Sequence, residues 1–299
     1  MTFWDALKAG FGFLSVIPVG ITMEGIDALM KRLYMYPIVG FFLGLIIGAA
    51  AFISVIILPT PLTIIAIMLA TYGIVWFNHL DGIADMGDGM TAHGSLEKKR
   101  KALKDMAIGI GGVAFAGLFL LLFYSSLSTL ENAAALITNS NGIIAPYVLG
   151  VFGIIVPAIS DLNLSGGMAN ALVMASFVGL TVAVAETNGK QAMLTIAALG
   201  KPFQEGLGSM TIKGGTPKNF IIGIVFTTAV SILLLGVAGL AAIIAATIAA
   251  LIILNASNRH FKGLSGDGIG ASNEVGRAVA ITAAALTVLY LIGGMSWML

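Results

Sequence analysis

Long apolar runs without a charged side chain alternate with short polar segments along the chain. The uncharged runs span residues 33–80, 106–130, 132–160, 162–185, 219–258 and 278–299. Pro59-Thr60-Pro61 divides the first run, and Gly236-Val237-Ala238-Gly239 predicts a hairpin turn in the fifth. Because a membrane-crossing helix needs about 20 apolar residues, the pattern predicts about seven or eight crossings. The chain is thus predicted to be an all-α polytopic membrane helical bundle, with a single domain over residues 1–299.

A soluble all-α protein of this composition would need charged faces interleaved at helical spacing, and these runs contain none. Only 10% of the residues are charged, whereas 58% are hydrophobic. The first apolar stretch, 11–19, is too short to cross a membrane, and it lacks the cleavage site of a signal peptide. Residues 2–17 are therefore predicted to form an interfacial helix, with Trp4, Phe11 and Phe13 as apolar anchors.

Basic residues predict which polar segments face the cytoplasm. They gather before the first run and after the second crossing: Lys8, Lys31, Arg32, Lys98, Lys99, Arg100, Lys101 and Lys104. A loop at Glu131 and Asn132 has no basic residue and is predicted to lie outside. The protein is expected in the cell membrane, in contact with lipid, with its active site facing the cytoplasm.

The polar segment 186–218 contains several lysines and is also predicted to be cytoplasmic. Three full crossings between residues 106 and 185 would instead place it outside. Either 142–160 or 168–185 crosses incompletely, or 191–199 forms a re-entrant piece. The sequence leaves these three possibilities open.

Three carboxylates follow the second crossing within the segment His79–Gly89, HLDGIADMGDG. On a helix, Asp81, Asp85 and Asp88 occupy positions i, i+4 and i+7, within roughly a 60° arc. Such close like charges repel one another, and a divalent cation removes the repulsion. Oxygen ligands suit Mg²⁺ or Mn²⁺, and the spacing does not match an EF-hand calcium loop. The segment predicts a metal site at a membrane surface, the alternative being a solvated acidic loop.

Other candidate residues lie in three polar segments. His79 is a candidate base or ligand, although a lone histidine at a helix end is commonly structural. Lys104 and Asp105 precede a glycine-rich span start whose backbone amides could face a phosphate, while the neighbouring lysines suit lipid anchoring. Lys201 and Glu205 lie in the segment 201–208, a weak signal taken alone.

A second acidic segment, 264–274, precedes the last run and is also rich in glycine. Asp267 and Glu274 are seven residues apart, and Asn273 adds an oxygen donor. The segment is neither a dinucleotide-binding fingerprint nor a P-loop, because the spacing and the required lysine are wrong. It predicts a second acidic site, the alternative being a flexible turn.

These segments, in this order, resemble the cobalamin synthase family, the adenosylcobinamide-GDP ribazoletransferases. The family's blocks His-x-Asp-Gly-Leu-Ala-Asp-Thr-x-Asp-Gly and Gly-Asp-x-x-Gly-Ala-x-x-Glu are similar to residues 79–89 and 266–274. Its Lys-Asp-Ser-Arg-Ile-Gly block resembles 104–109, and weaker likenesses occur at 36–40 and 205–208.

The resemblance implies a Mg²⁺-dependent enzyme that joins α-ribazole, or its 5′-phosphate, to adenosylcobinamide-GDP and releases GMP. It implies that Asp81, Asp85 and Asp88 hold Mg²⁺, and that Asp267 and Glu274 hold a second metal or activate the attacking oxygen. The residues that would contact substrate are His79, Lys104, Asp105, Lys201, Glu205 and Asn273.

Two other classes stay open on the sequence alone. A membrane phosphotransferase of the CDP-alcohol type also uses an aspartate- and glycine-rich helix, but its pattern continues differently from Met90-Thr91-Ala92-His93. A secondary transporter would place ionisable residues near the bilayer midplane, whereas here every charged residue is predicted outside the spans. A net charge of +1 gives no reason to expect nucleic acid as a partner, and a homo-oligomer stays open.

Overall fold

The computed structural model describes residues 2–139, 150–162 and 164–293. These residues form twelve helices and one isolated β-bridge between Pro202 and Leu264. The helices are α1 Phe3–Leu14, α2 Met23–Met30, α3 Met35–Ile57, α4 Thr60–Val75, α5 Asn78–Thr91, α6 Leu96–Ala102, α7 Ile110–Asn139, α8 Gly150–Ser160, α9 Gly166–Leu199, α10 Leu207–Gly214, α11 Pro217–Phe261 and α12 Gly266–Leu291. The central helix, α9, packs against α3, α7, α11 and α12.

Five of the described helices, α3, α7, α9, α11 and α12, are long and apolar enough to cross a membrane. The pair α4 and α5 passes the same test only together, with a bend of 95° between the two helices. Large apolar side chains on the outer faces, such as Ile53, Leu121 and Ile252, are more than half exposed and need lipid to cover them. The protein is therefore an all-α polytopic membrane bundle. The carboxylate-bearing α5, with 14 residues, is too short to cross the apolar layer by itself.

The longest helix, α11, is interrupted at Gly236, whose φ of 56° and ψ of −127° are not helical. A Cβ added at Gly239 would strike the backbone of Ser231, which a straight helix would place about 12 Å away. The two arms therefore fold back on each other. The hairpin turn predicted at Gly236-Val237-Ala238-Gly239 is confirmed.

One loop prediction was wrong, because Glu131 and Asn132 lie within α7. The first part of the segment predicted to be polar and cytoplasmic, residues 186–199, continues α9 and is buried as far as Ala197. Of the three possible incomplete crossings, 142–160 contains α8, whose 11 described residues are too few to span the apolar layer by themselves. The remainder of that predicted segment, 142–149, lies outside the described residues.

The predicted interfacial helix is present as α1, with a Thr2 and Asp5 capping box at its start. Trp4 is 71% exposed, as an apolar anchor in the headgroup region would be. Phe11 and Phe13 instead pack against α3, where Phe13 stacks on Tyr36 with 6.2 Å between ring centroids. One side of α1 therefore belongs to the protein core.

Helix α5 lies against α7 and α12, and glycines at the crossings allow a close approach. A Cβ at Gly82 would lie 2.5 Å from the backbone oxygen of Asp267, and one at Gly87 would lie 2.7 Å from that of Gly111. These glycines bring the first acidic segment against the backbone of the second.

Replacing Gly82 by alanine should force α5 away from α12 and lower the melting temperature of the purified protein, because the obstructing atom is rigid backbone. The matched control is Gly117→Ala in α7, where no atom lies within 4 Å of the added Cβ. That variant should gain about 0.5–1 kcal/mol from helix propensity. Equal melting temperatures for the two variants would contradict the close crossing.

Candidate active site

An acidic cavity of about 520 Å³ opens where α5, the α6–α7 connection and the start of α12 meet. Its lining is Asp81, Ala84, Asp85, Leu103, Lys104, Asp105, Met106, Ile108, Gln204 and Asp267. Helical spacing on α5 directs the first two aspartates to the same side, as predicted. Asp267 enters from the first turn of α12, whose N-cap residue Ser265 accepts a hydrogen bond from the backbone N–H of Gly268. Carboxylates from two distant sequence segments therefore share one cavity.

Asp88, the third aspartate of the predicted metal site, has a different environment. Its two carboxylate oxygens accept hydrogen bonds from the backbone N–H groups of Gly109 and Gly112, each at 2.7 Å. This contact ties α5 to the glycine-rich start of α7, and Asp88 does not line the acidic cavity. Within the described ranges, no group of three or more histidine, aspartate or glutamate side chains is arranged to hold a metal ion by itself.

Asp85 is half-buried and surrounded by like charge. Burial, followed by the carboxylates of Asp81, Asp267 and Asp88, raises the pKa of Asp85 to about 7. A cation bound in the cavity would oppose this effect by stabilising the ionised carboxylate.

The other predicted substrate contacts divide between the acidic cavity and its surroundings. Lys104 and Asp105 are exposed at the rim of the acidic cavity. Glu205 pairs with Lys213 at 3.0 Å and lines a smaller cavity of about 200 Å³ that also touches Asp267. Lys201 lines none of these cavities, although its carbonyl accepts a hydrogen bond from the N–H of Leu264.

A buried charge network lies between α9 and α12, and the sequence argument missed it. Lys190 donates to Glu186 at 2.5 Å, Arg277 pairs with Glu186 at 3.3 Å, and Arg277 also pairs with Glu274. Each of these four side chains is at most 2% exposed. The available signal was the spacing, i and i+4 for the first pair and i and i+3 for the last. The prediction that every charged residue lies outside the spans was therefore wrong.

The network extends to the predicted residues Glu274, Asn273 and His79. Tyr72 donates its hydroxyl to Glu274 at 3.0 Å, while Lys190 donates to the side-chain oxygen of Asn273 at 2.8 Å. Asn273 in turn contacts Nδ1 of His79 at 3.2 Å. Burial, with the positive charges of Lys190 and Arg277, lowers the pKa of His79. Glu274 and Asn273 thus belong to the buried network and do not line the acidic cavity.

A second cavity, of about 420 Å³, lies on the other side of Asp267. It is bounded by α1, α3, α5, α10 and α12 and is lined by Gly12, Phe13, Ile21, Tyr36, Asn78, His79, Met193, Leu207, Gly208, Thr211, Gly266, Asp267, Ile269 and Gly270. Asp267 therefore touches both the acidic cavity and the second cavity.

These features define a multi-pass membrane protein whose acidic cavity lies at the end of the bundle where α7 and α12 begin. The sequence profile of a family described as cobalamin-5-phosphate synthase matches residues 6–148 and 141–285. The chain belongs to this family.

Curated relatives are similar in sequence to this chain over almost its whole length. The protein from Methanosarcina mazei is 47% identical over 98% of both chains, and that from Methanosarcina barkeri has the same identity and coverage. The protein from Methanococcoides burtonii is 42% identical over 98% of this chain and 97% of its own. Each of these relatives is named adenosylcobinamide-GDP ribazoletransferase. No solved structure is significantly similar to the chain.

Proposed function

We propose that the protein joins ribazole, or ribazole 5′-phosphate, to adenosylcobinamide-GDP and releases GMP. The reaction is inferred from the names of the relatives, and one structural observation supports the acidic cavity as the place where it occurs in this chain. Asp81, Asp85 and Asp267, which come from two distant segments, line one cavity together with Lys104. A diphosphate transfer needs this combination of carboxylates and a nearby cation.

The donor set fits Mg²⁺, which is commonly held by one or two carboxylates together with substrate phosphates and water, so a complete protein cage is not required. Asp81 and Asp85 would hold the ion together with phosphate oxygens and water. When bound, it would neutralise negative charge on the diphosphate and on the departing GMP. Asp88 would keep α5 in register with α7 through the two backbone amides that it accepts from.

The proposed chemistry replaces the phosphoanhydride bond of adenosylcobinamide-GDP by a phosphodiester bond. A ribose hydroxyl oxygen of the nucleoside forms a bond to the corrinoid-side phosphorus, the bond from that phosphorus to GMP breaks, and a 5′-phosphate on the nucleoside stays on the product. The hydroxyl proton passes to a carboxylate, and Asp267 is the candidate because it touches both cavities. Lys104 would bind a phosphate oxygen at the rim.

We further propose that this end of the bundle faces the cytoplasm. The basic helix α6 lies beside the acidic cavity, and Arg100 from that helix donates to the backbone oxygen of Phe261 at 2.7 Å and 3.0 Å. Concentrated lysine and arginine favour the cytoplasmic side of a membrane. The test is to label the Lys101→Cys variant with a membrane-impermeant thiol reagent. Labelling only after the cytoplasmic side is made accessible would support this orientation.

The test of the reaction uses purified full-length protein in detergent with adenosylcobinamide-GDP, α-ribazole and Mg²⁺. The expected result is the release of GMP in equal amount to the product formed, which is the cobamide when ribazole is the acceptor and the cobamide 5′-phosphate when ribazole 5′-phosphate is the acceptor. If neither acceptor gives GMP, the proposal fails.

Cation affinity should depend on pH through Asp85. Because its raised pKa is about 7, the carboxylate is protonated below that pH and must lose a proton to bind a cation. Mn²⁺ affinity measured by electron paramagnetic resonance should rise about tenfold per pH unit up to about pH 7 and then level off. In Asp85→Asn the affinity should be low and this dependence absent, and an unchanged profile would exclude Asp85 as a ligand.

A further inference from the structure

The two cavities that meet at Asp267 differ in charge. The acidic cavity includes Lys104 and Asp105 at its rim, whereas the second cavity has Asp267 as the one charged side chain among its lining residues, all of which are described. A diphosphate could therefore pair with Lys104 in the acidic cavity, whereas the lining of the second cavity contains no lysine or arginine. The second cavity suits an uncharged group.

The walls of the second cavity are suited to a flat aromatic group. Phe13 and Tyr36, stacked at an interplanar angle of 28°, form one wall, and the glycine backbone of α12 at Gly266 and Gly270 contributes to another. Its volume of about 420 Å³ falls within the range of about 300–1,000 Å³ that is usual for small-ligand pockets. A nucleoside fits such a volume, whereas a corrinoid macrocycle is too large.

His79 presents a hydrogen-bond donor to this cavity, because its neighbours fix the tautomer of its ring. Lys190 can only donate, and the carboxylate of Glu274 can only accept, so the Asn273 amide has its oxygen towards Lys190 and its nitrogen towards Glu274. The same nitrogen therefore donates to Nδ1 of His79. With Nδ1 accepting, the ring proton of neutral His79 resides on Nε2, for which the described residues provide no hydrogen-bond partner.

We propose that the second cavity binds the aromatic nucleoside of the acceptor substrate, with its attacking ribose hydroxyl at Asp267 and with Nε2–H of His79 donating to another ribose oxygen. This inference rests on the proposed function and identifies where its second substrate binds. The buried network of Glu186, Lys190 and Asn273 then acts as a positioning device, because it holds His79 as a donor.

Blocking the cavity mouth tests the location of this site. Leu207 lines the second cavity and is 54% exposed, so Leu207→Trp places a large ring there at little risk to folding. The matched control is Leu199→Trp, 56% exposed and lining none of the cavities described above. Leu207→Trp should raise KM for α-ribazole by about tenfold and leave KM for adenosylcobinamide-GDP unchanged. Equal nucleoside KM values for the two variants would overturn the proposal.

The state of His79 has a readout that is independent of activity. The chain contains three histidines, so ¹⁵N-histidine spectra of the wild type and His79→Phe assign the ring by difference. Near neutral pH the two-bond ¹H–¹⁵N pattern should be that of the Nε2–H tautomer. An Nδ1–H pattern or an imidazolium would overturn the assigned role.

Two further variants separate positioning from folding. His79→Phe should raise KM for the nucleoside, and His79→Gln, which retains an N–H close to the position of Nε2, should restore part of the affinity. Binding of radiolabelled α-ribazole alone, measured by equilibrium dialysis, should follow the same order. Failure of the proposed function would appear as absence of GMP in the wild type, whereas failure of this inference would leave GMP release intact and nucleoside KM unaffected by these variants.

Discussion

Asp85→Asn should lower the rate of GMP release by about 10³-fold or more, because the cation that it helps to hold supplies several kcal/mol of charge stabilisation and each 1.4 kcal/mol is tenfold in rate. Its melting temperature without Mg²⁺ should equal or exceed that of the wild type. The amide keeps the size of the side chain and removes repulsion from Asp81 and Asp267, which is among the causes of the raised Asp85 pKa. Loss of activity without loss of stability distinguishes a ligand from a structural residue.

The matched control for this experiment is Asp161→Asn, an exposed aspartate between α8 and α9 that lines none of the described cavities. It should release GMP at the wild-type rate. Near-normal turnover by Asp85→Asn would show that the reaction does not take place in the acidic cavity. A low rate accompanied by a low melting temperature would assign the residue a structural role.

Arg277→Met should destabilise the protein by about 3–5 kcal/mol, because removing one partner of a buried ion pair leaves uncompensated charge in a medium of low polarity. Arg277 pairs with both Glu186 and Glu274, and its guanidinium also lies 5.3 Å from the ring centroid of Phe123. The expected fall in melting temperature is about 10 °C, measured on the purified protein in detergent.

The control for the buried network is the exposed pair of Lys213 and Glu205, whose side chains are 62% and 82% exposed. Lys213→Met should leave the melting temperature close to that of the wild type, because water and salt screen this pair. Adding Glu274→Gln to Arg277→Met should recover part of the lost stability, since one uncompensated charge is removed with its partner. If the melting temperature of Arg277→Met equals that of the wild type, the four buried residues do not form an ionised network.

The sequence carried enough information to predict the membrane bundle, the hairpin at Gly236 and the helix bearing the aspartates. These features depend on local patterns, namely apolar runs, glycine pairs and carboxylates at helical spacing. The association of Asp81 and Asp85 with Asp267 depended on the family resemblance, since no local pattern relates two segments so far apart in the chain.

The errors arose where tertiary contacts decide the outcome. Glu186 and Lys190 looked like the beginning of a polar cytoplasmic segment, yet α9 continues because the pair and Arg277 neutralise one another. A charge seen in sequence does not reveal whether a partner will bury it. The two backbone amides that Asp88 accepts from, at Gly109 and Gly112, are likewise supplied by the start of another helix, which no local pattern reveals.

This network also changes the argument against a transporter. That argument rested on the absence of charge within the spans, and the buried residues on α9 and α12 remove its basis. Membership of the cobalamin-5-phosphate synthase family is now the argument against a transporter. It is also the argument against a phosphotransferase of the CDP-alcohol type.

The crossing of α5 and α12 at Gly82 has a consequence for biogenesis. The ribosome delivers the first acidic segment early, whereas the helix that completes the cavity is the last of those described. Until α12 has been synthesised, Asp81 and Asp85 lack Asp267, and Gly82 lacks the backbone against which it packs. Catalytic competence should therefore arise in one late step, when α12 inserts, and nascent chains arrested before that point should be inactive although most of their helices are already in the membrane.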